Sequence, residues 1–416
     1  MTNKKLIFIW SNLEIGGIEC WLIEQLKLAK SLGYDIIWIV NGQGREFAGW
    51  REFIKNNIEK VYIWNFNNKI LIESCDVLAL SFAFSDYGYL LKQKSLTLCH
   101  DFRVLYLLPH FKDCLYYPEE NLPKIFVNYA KNKIKKVYYE ADCLNQLFFF
   151  GEKHAKELYN RYGIVISKIN EKLVRGNVLN MEFNEEKAKR RASRNKFTII
   201  TCGRFDFPHK SYILGLISAY EILKKEYNDI RLIIIGYGDG QVQIENKISR
   251  MEEKYRKDVM LTGAVSPDLL VKYFDMAHIN ISVAGAVKAG AITGLVSVPA
   301  RHYSEICEVY GFLPESRKYT LSDVPGEDVK KCIRYVMNIS EGEYIDLCRK
   351  SFFTYYEKNK FADNNWLFNI KQKSDPLKER EISRICLLFF IYHEIINFPG
   401  RLLRFFKRLV LSRNKL

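Results

Sequence analysis

Nowhere does the 416-residue sequence contain a run approaching the ~20 apolar positions that a membrane-spanning helix requires. Its ten cysteines include no Cys-x-x-Cys pair, so a zinc site or dithiol redox centre is not expected. Several of them sit inside apolar runs, which reads as buried free thiols in a reducing compartment. Short-period repeats and low-complexity tracts are also missing, which argues against a solenoid or a disordered chain. After Lys4-Lys5 the apolar stretch Leu6–Trp10 is five residues long and runs into Ser11-Asn12. That is too short for the core of a secretory leader and reads as a first strand.

What is present is a foldable mixture, 48% hydrophobic and 27% charged, over a length that calls for two domains. The net charge is +15, and its placement matters more than its size. Residues 371–416 hold eleven Lys/Arg against four Asp/Glu, which puts +7 on the last 46 residues. There Ile385-Cys-Leu-Leu-Phe-Phe-Ile-Tyr392 precedes Pro399-Gly400 and Arg401-Leu-Leu-Arg-Phe-Phe-Lys-Arg-Leu-Val-Leu411. On a helical wheel Leu402, Leu403, Phe406, Leu409 and Val410 face one way, and Arg401, Arg404, Lys407 and Arg408 the other. An interfacial helix on an anionic leaflet has this composition, each cation contributing about 1 kcal/mol. A helix laying its apolar face on the rest of the chain has it too, and both readings stay open. No nucleic-acid-binding motif accompanies the charge.

Strand and helix patterns alternate. In the first half, strands are expected at Leu6–Trp10, Asp35–Val40, Lys60–Trp64, Asp76–Leu80 and Ser95–Cys99, with weaker ones at Lys124–Val127 and Lys136–Tyr139. A helical pattern over Ile18–Leu32 ends at Gly33. Glu185–Lys196 is charged and core-poor, and reads as a linker. Beyond it strands are expected at Phe197–Cys202, Arg231–Ile235, Val259–Leu261, Ile279–Val283 and Val296–Val298. Helices over Tyr212–Glu226, Val242–Tyr255 and Pro267–Met276 fall between them. The expected fold is α/β with two Rossmann-like domains, residues 1–180 and 195–340, facing across a cleft. Residues 341–372 would be helices returning toward the first domain, and residues 376–416 a basic amphipathic tail that associates with membrane.

The most telling stretch is Thr201-Cys-Gly-Arg-Phe-Asp-Phe-Pro-His-Lys210, directly after the apolar run Phe197–Ile200. A buried strand ending in Gly-Arg and then Lys suits a polyanion, since Arg offers a planar fork and Lys a point charge. Arg231-Leu-Ile-Ile-Ile-Gly-Tyr-Gly-Asp-Gly240 repeats the design with a glycine loop. Both point to a phosphate-bearing ligand at the carboxyl edge of a parallel sheet. Taken alone, the first stretch could equally be a surface Arg and Lys after an ordinary strand.

These residues, with Val259-Met-Leu-Thr-Gly-Ala-Val265 and Ala277–Ser282 after them, resemble the donor-binding domain of GT-B glycosyltransferases of the retaining family four group. The first half resembles it in Gly16-Gly17-Ile-Glu19 and Val174-Arg-Gly-Asn-Val178. The resemblance implies that Arg204 and Lys210 pair with the diphosphate of a sugar nucleotide, where leaving-group charge develops. Gly16 and Gly17, opening a helix, would give amides to phosphate, as would Gly236 and Gly238. His100, placed after the strand Ser95–Cys99, would face the donor sugar. His209 reads as a solvated loop residue.

One departure from the family pattern is visible. Two glutamates eight positions apart are expected after the Ala277–Ser282 strand, and the aligned residues are Ile281 and Ala289. Gly285 and Lys288 in that glycine-rich segment would then serve the phosphate. Glu305 or Glu308 is left to hold the ribose. No Asp-x-Asp metal motif occurs, in keeping with a metal-independent transferase, and no cofactor is implied. The resemblance therefore implies transfer of a sugar from a nucleotide-diphosphate sugar to a hydroxyl of a saccharide or lipid-linked saccharide, in cell-surface polysaccharide synthesis. The enzyme would be cytoplasmic and peripheral on the inner face of the plasma membrane, held to anionic lipid through residues 385–411. A non-catalytic binding relative and a sugar-nucleotide epimerase of similar fold are the alternatives.

Overall fold

The computed structural model describes residues 4–14, 16–64, 70, 76–97, 99, 101–108, 124–166, 168–174, 182–316, 324–359 and 366–391. The chain divides into two compact units. One comprises residues 1–14, 22–175 and 364–416; the other comprises 15–21 and 176–363.

In the first unit the elements are β1 (Lys4–Trp10), α1 (Gly17–Ser31), β2 (Tyr34–Val40), α2 (Arg51–Asn57), β3 (Ile58–Ile63), β4 (Asp76–Ser81), α3 (Phe84–Leu96), β5 (Asp101–Leu108), α4 (Lys124–Cys143), β6 (Leu147–Phe149) and α5 (Glu152–Tyr162). Six parallel strands form one sheet in the order β3-β2-β1-β4-β5-β6, so the order reverses between β1 and β4. Leu6, Ile7, Phe8 and Ile9 are all fully buried, as a parallel strand covered on both faces requires. Gly33, at φ +80°, takes the left-handed position that ends α1.

Three expected strands give way here. Lys124–Val127 and Lys136–Tyr139 are not strands but the two ends of α4. Ala130, Ile134, Val137, Tyr138 and Ala141 are its buried residues, a helical period that short β-branched runs had obscured. Ser95–Cys99 is not a strand either, because α3 runs through Leu96 and the next strand starts at Asp101.

The second unit carries α6 (Glu185–Ala192), β7 (Phe197–Cys202), α7 (Tyr212–Glu226), β8 (Ile230–Ile235), α8 (Gln241–Ser249), α9 (Glu253–Arg256), β9 (Val259–Leu261), α10 (Pro267–Met276), β10 (Ile279–Ser282), α11 (Gly285–Ala291), β11 (Val296–Pro299), the short pair β12 (Glu308–Val309) and β13 (Glu327–Asp328), α12 (Val329–Asn338) and α13 (Glu341–Asn359). Its five parallel strands run β11-β10-β7-β8-β9, reversing between β7 and β10. The stretch expected as a linker is instead the capped helix α6, with Asn184 Oδ1 accepting from Lys187 N at 2.9 Å. Its Arg191 is 1% exposed and donates to the carbonyls of Gly294 at 2.6 Å and Thr293 at 3.0 Å, and to Asp275 at 2.9 Å. A charged composition concealed one buried guanidinium that fastens the helix to the unit.

The C-terminal helix, residues 376–391, belongs to the first unit. The segment leading to it is stitched to β5: the Gln372 side-chain amide accepts from the Val104 N–H at 3.1 Å and donates to the Val104 carbonyl at 2.7 Å. Glu379, 5% exposed, accepts from Lys94 at 2.7 Å and Gln146 at 2.8 Å. Ser383 donates to the Gly88 carbonyl at 2.8 Å, and a Cβ on Gly88 would lie 2.3 Å from Cys386 Cβ. Ile382, Ile385, Cys386 and Leu387 are buried among the core residues of this unit. The segment assigned from sequence to a membrane surface, 385–411, therefore starts in a protein core. Residues 392–411 lie outside the described residues.

Candidate functional site

Reversal of strand order leaves a crevice outside the carboxyl ends of the two strands that flank it. In the second unit those strands are β7 and β10, and the segments leaving them hold most of the expected site.

The loop after β7 is built by backbone against backbone. Gly203 N–H donates to Ile235 O at 3.0 Å and Phe205 N–H to Tyr237 O at 2.7 Å, so the β7–β8 ladder continues past the strands. Gly240 N–H donates to Phe205 O at 2.9 Å, and the Phe207 amide to Asp239 Oδ1 at 3.0 Å. Gly236 has φ +150°, and a Cβ there would stand 1.8 Å from Gly203 O. Gly238, with the same φ, would bring a Cβ within 2.9 Å of the Phe205 backbone. The glycines thus serve close approach of two loops, and both carry φ values that side chains rarely adopt.

This frame fixes a charged triplet. Arg204 Nε lies 3.4 Å from Asp206 Oδ2, and Lys210 Nζ 3.9 Å from the same oxygen. Lys210 N–H donates to Asp206 O at 2.9 Å, which folds the loop so that its ammonium returns beneath Gly203. The Lys210 side chain is 15% exposed. Burial pushes its ammonium below the usual lysine range; Asp206 pulls it back, and Arg204 lowers it further. Sequence reasoning found the two cations and missed the carboxylate that they share. Its signal was present, four positions before Lys210.

Beneath the crevice lies a buried polar network without obvious sequence signature. Ser282 Oγ donates to Asn280 Oδ1 at 2.7 Å and accepts from Cys202 N–H at 3.2 Å. Asn280 Nδ2 donates to Ala286 O at 3.0 Å. These bonds tie β7, β10 and the start of α11 together, so the two sides of the crevice are held in register.

The segment after β10 is compact. Only Val283 and Ala284 connect the strand to α11, and Ala284 has φ +50°. Ile281 is fully buried in the strand, so the position aligned with the first family glutamate is an interior one. Gly285 opens α11 and a Cβ there would meet nothing within 4 Å. Lys288 is half-buried, and burial alone lowers its ammonium. It forms no ion pair among the described residues, and the structure does not join it to the Arg204–Asp206–Lys210 triplet.

Glu305 is exposed on the loop after β11, where the backbone of 305–307 packs on Gly215 of α7. Glu308 is engaged by Arg301 at 2.6 Å. His209 is not simply solvated: its Nε2 lies 2.5 Å from His302 Nδ1, and its carbonyl accepts from Tyr303 N–H at 3.0 Å.

Gly16 and Gly17 open α1 as expected, and residues 15–21 group with the second unit. A Cβ on Gly16 would lie 2.1 Å from Glu19 Oε2, so the first turn is already covered by the chain's own carboxylate. Gly17 faces open space. His100 lies outside the described residues. Asp101 is the first residue of β5, so this stretch enters a strand at its amino end rather than leaving one at the carboxyl edge.

The first unit has its own buried acid at its reversal point. Asp86 lies in the first turn of α3, accepting from Asn41 Nδ2 at 2.8 Å and from Ser85 Oγ at 3.4 Å. Burial raises its carboxyl to about 7, against the two hydrogen bonds that lower it. Among the described residues no group of three His, Cys, Asp or Glu is placed to hold a metal ion.

Residues 182–289 match the family model described as glycosyl transferases group 1. No curated protein matches the sequence. Solved structures match over most of the chain. Anabaena Alr3699/HepE, crystallised with UDP and glucose, is 12% identical with a TM-score of 0.50, over 84% of this chain and 94% of its own. S. aureus TarM, crystallised with fondaparinux, alpha-GlcNAc-glycerol and UDP, is 10% identical with a TM-score of 0.51, over 88% and 98%. A glycosyltransferase from Rickettsia africae is 17% identical with a TM-score of 0.51, over 92% and 99%. The fold is GT-B, two parallel-sheet α/β units. The family match supports sugar transfer as the class of activity.

Proposed function

We propose that this GT-B chain transfers a sugar from a nucleotide-diphosphate sugar to a hydroxyl of a saccharide or lipid-linked saccharide, in the assembly of a cell-surface polysaccharide. The observation that carries the reading is the Arg204–Asp206–Lys210 triplet, held by a glycine-built frame at the strand-order reversal of the matched unit. Asp206 balances the two cations. A diphosphate at the crevice would draw Arg204 and Lys210 to itself, exchanging one shared carboxylate for several phosphate oxygens. The same cations would then stabilise charge as the sugar–phosphate bond breaks. Nucleotide-bound relatives of the same fold are in keeping with this; HepE and TarM were both crystallised with UDP.

Retention of configuration without a metal is the reaction course implied by the family resemblance. The amides at Gly17, Gly236, Gly238 and Gly285 would approach phosphate. Lys288 and Glu305 are proposed as outer contacts, on the strength of their segments alone. The enzyme would work at the cytoplasmic face of the plasma membrane.

The test is donor affinity in two single variants. Arg204→Ala and Lys210→Ala should each weaken UDP binding by about tenfold to a hundredfold, the range of a lost charge-assisted contact. Unchanged affinity in both, by calorimetry on folded protein, would remove the phosphate assignment.

A further inference from the structure

The C-terminal helix and α4 lie side by side, and two ion pairs fix their direction. Lys378 meets Glu140 at 2.8 Å and Lys136 meets Glu381 at 2.7 Å. Ascending positions on one helix meet descending positions on the other, so the pair is antiparallel. Residues seven apart are two turns along and on nearly the same face. Two turns beyond the Lys136–Glu381 level stand Tyr129 and Leu388, 64% and 66% exposed. The next turn brings Phe126 and Ile391, 51% and 39% exposed. Four large apolar side chains therefore gather, uncovered, at one end of the helix pair.

The surroundings of this patch are basic. Up to Glu140, α4 carries Lys124, Lys131, Lys133, Lys135 and Lys136 and no acid. Lys133 Nζ lies 5.7 Å from the Tyr129 ring centroid, and the exposed Arg384 stands at the same level on the facing helix. On the C-terminal helix Glu379 is buried against Lys94, and Glu381, which pairs with Lys136 and also faces Lys133, offsets only part of this charge. The chain leaves the described residues at Ile391, at this end of the pair. The 25 residues that follow carry six Lys/Arg against one Glu and the amphipathic run Arg401–Leu411.

We infer that Phe126, Tyr129, Leu388 and Ile391, ringed by Lys133 and Arg384, form a docking face for an anionic lipid bilayer. Aromatic and aliphatic side chains enter the boundary between headgroups and acyl chains, while the cations meet lipid phosphate. Two ion pairs hold the helices that carry this face together. The inference rests on the membrane-surface reading proposed above, and it moves the anchor from the tail alone to a composite that includes α4.

The test is sedimentation of the full chain with vesicles of phosphatidylcholine, with and without phosphatidylglycerol, alongside calorimetric UDP affinity. Binding is expected only to the anionic vesicles and should fall with salt. Phe126→Ser with Tyr129→Ser, and separately Lys133→Glu with Arg384→Glu, should each lower the partition coefficient about tenfold or more. UDP affinity and melting temperature should stay at the parent values, because Phe126, Tyr129 and Arg384 are exposed and Lys133 is only half-buried at the surface. A second variant, Leu402→Ser with Phe406→Ser, isolates the tail. If that variant abolishes binding while both helix-pair variants bind as the parent does, the composite face is wrong. Absent binding of the parent chain, or equal binding to neutral vesicles, also overturns it. UDP affinity decides the transferase reading separately.

Discussion

At the scale of single residues, burial sets the chemistry more than sequence identity does. Lys210 holds its proton less firmly than an exposed lysine because its ammonium is desolvated. Only the protonated form attracts a diphosphate, so UDP affinity should weaken as pH rises through that lowered pKa. Calorimetry from about pH 7 to about pH 10 should show the fall, and Lys210→Arg should flatten it because a guanidinium stays charged. Asp86 gives the opposite kind of signal. Burial pushes its folded carboxyl up to about 7, against an ordinary value of 3.8 for the unfolded chain. Between those values the folded state holds the extra proton, so this residue makes stability fall as pH rises. The fall is on the order of 4 kcal/mol at most. Asp86→Asn should remove it from urea titrations at pH 5 and pH 8, leaving the variant relatively more stable at the higher pH.

At the scale of elements, single polar residues decide whether a charged helix belongs to a core. Arg191 bonds two carbonyls of the turn after α11 and also Asp275 of α10. Arg191→Ala leaves those carbonyls buried without their donor and should cost about 3 kcal/mol in urea denaturation. Such contacts were not legible from composition, which reads α6 as a linker. The five strands of the second sheet and β1, β2, β3 and β4 of the first were legible as short apolar runs, whereas β5 and β6 were not expected at all. The two ends of α4 failed for a related reason. Val127 with Ile125 and Val137 with Tyr138 imitate short strands, and only the 3.6-residue spacing across all 20 residues reveals the helix. The strand expected at Ser95–Cys99 gave way as well, to the end of α3 and a strand that begins at Asp101.

At the scale of the whole molecule, the chain returns to its first unit at residue 364 and closes that unit's core. A chain ended at residue 375 loses Ile382, Ile385, Cys386 and Leu387 from the core, and the Glu379 bonds to Lys94 and Gln146. Burial of four such side chains is worth on the order of 5 kcal/mol or more. Thermal melting should therefore show the first unit unfolding early in that chain, with the second unit's transition in place. A chain ended at residue 391 should melt as the parent does. Membrane binding is to be tested by the second cut or by point variants, since the first removes part of the fold.

The sequence by itself determined the α/β alternation, the strands of the second sheet and the Gly203–Lys210 loop, because these depend on local apolar runs and on glycine and charge at fixed spacing. Tertiary structure decided the rest. Whether 376–391 packs or lies on a membrane turns on Gly88, Gln146 and Lys94, some 230 to 300 positions away in the chain. Whether Arg204 and Lys210 stand as free cations turns on where the loop folds Asp206. An amphipathic pattern states that a face must be covered; only the folded chain says by what.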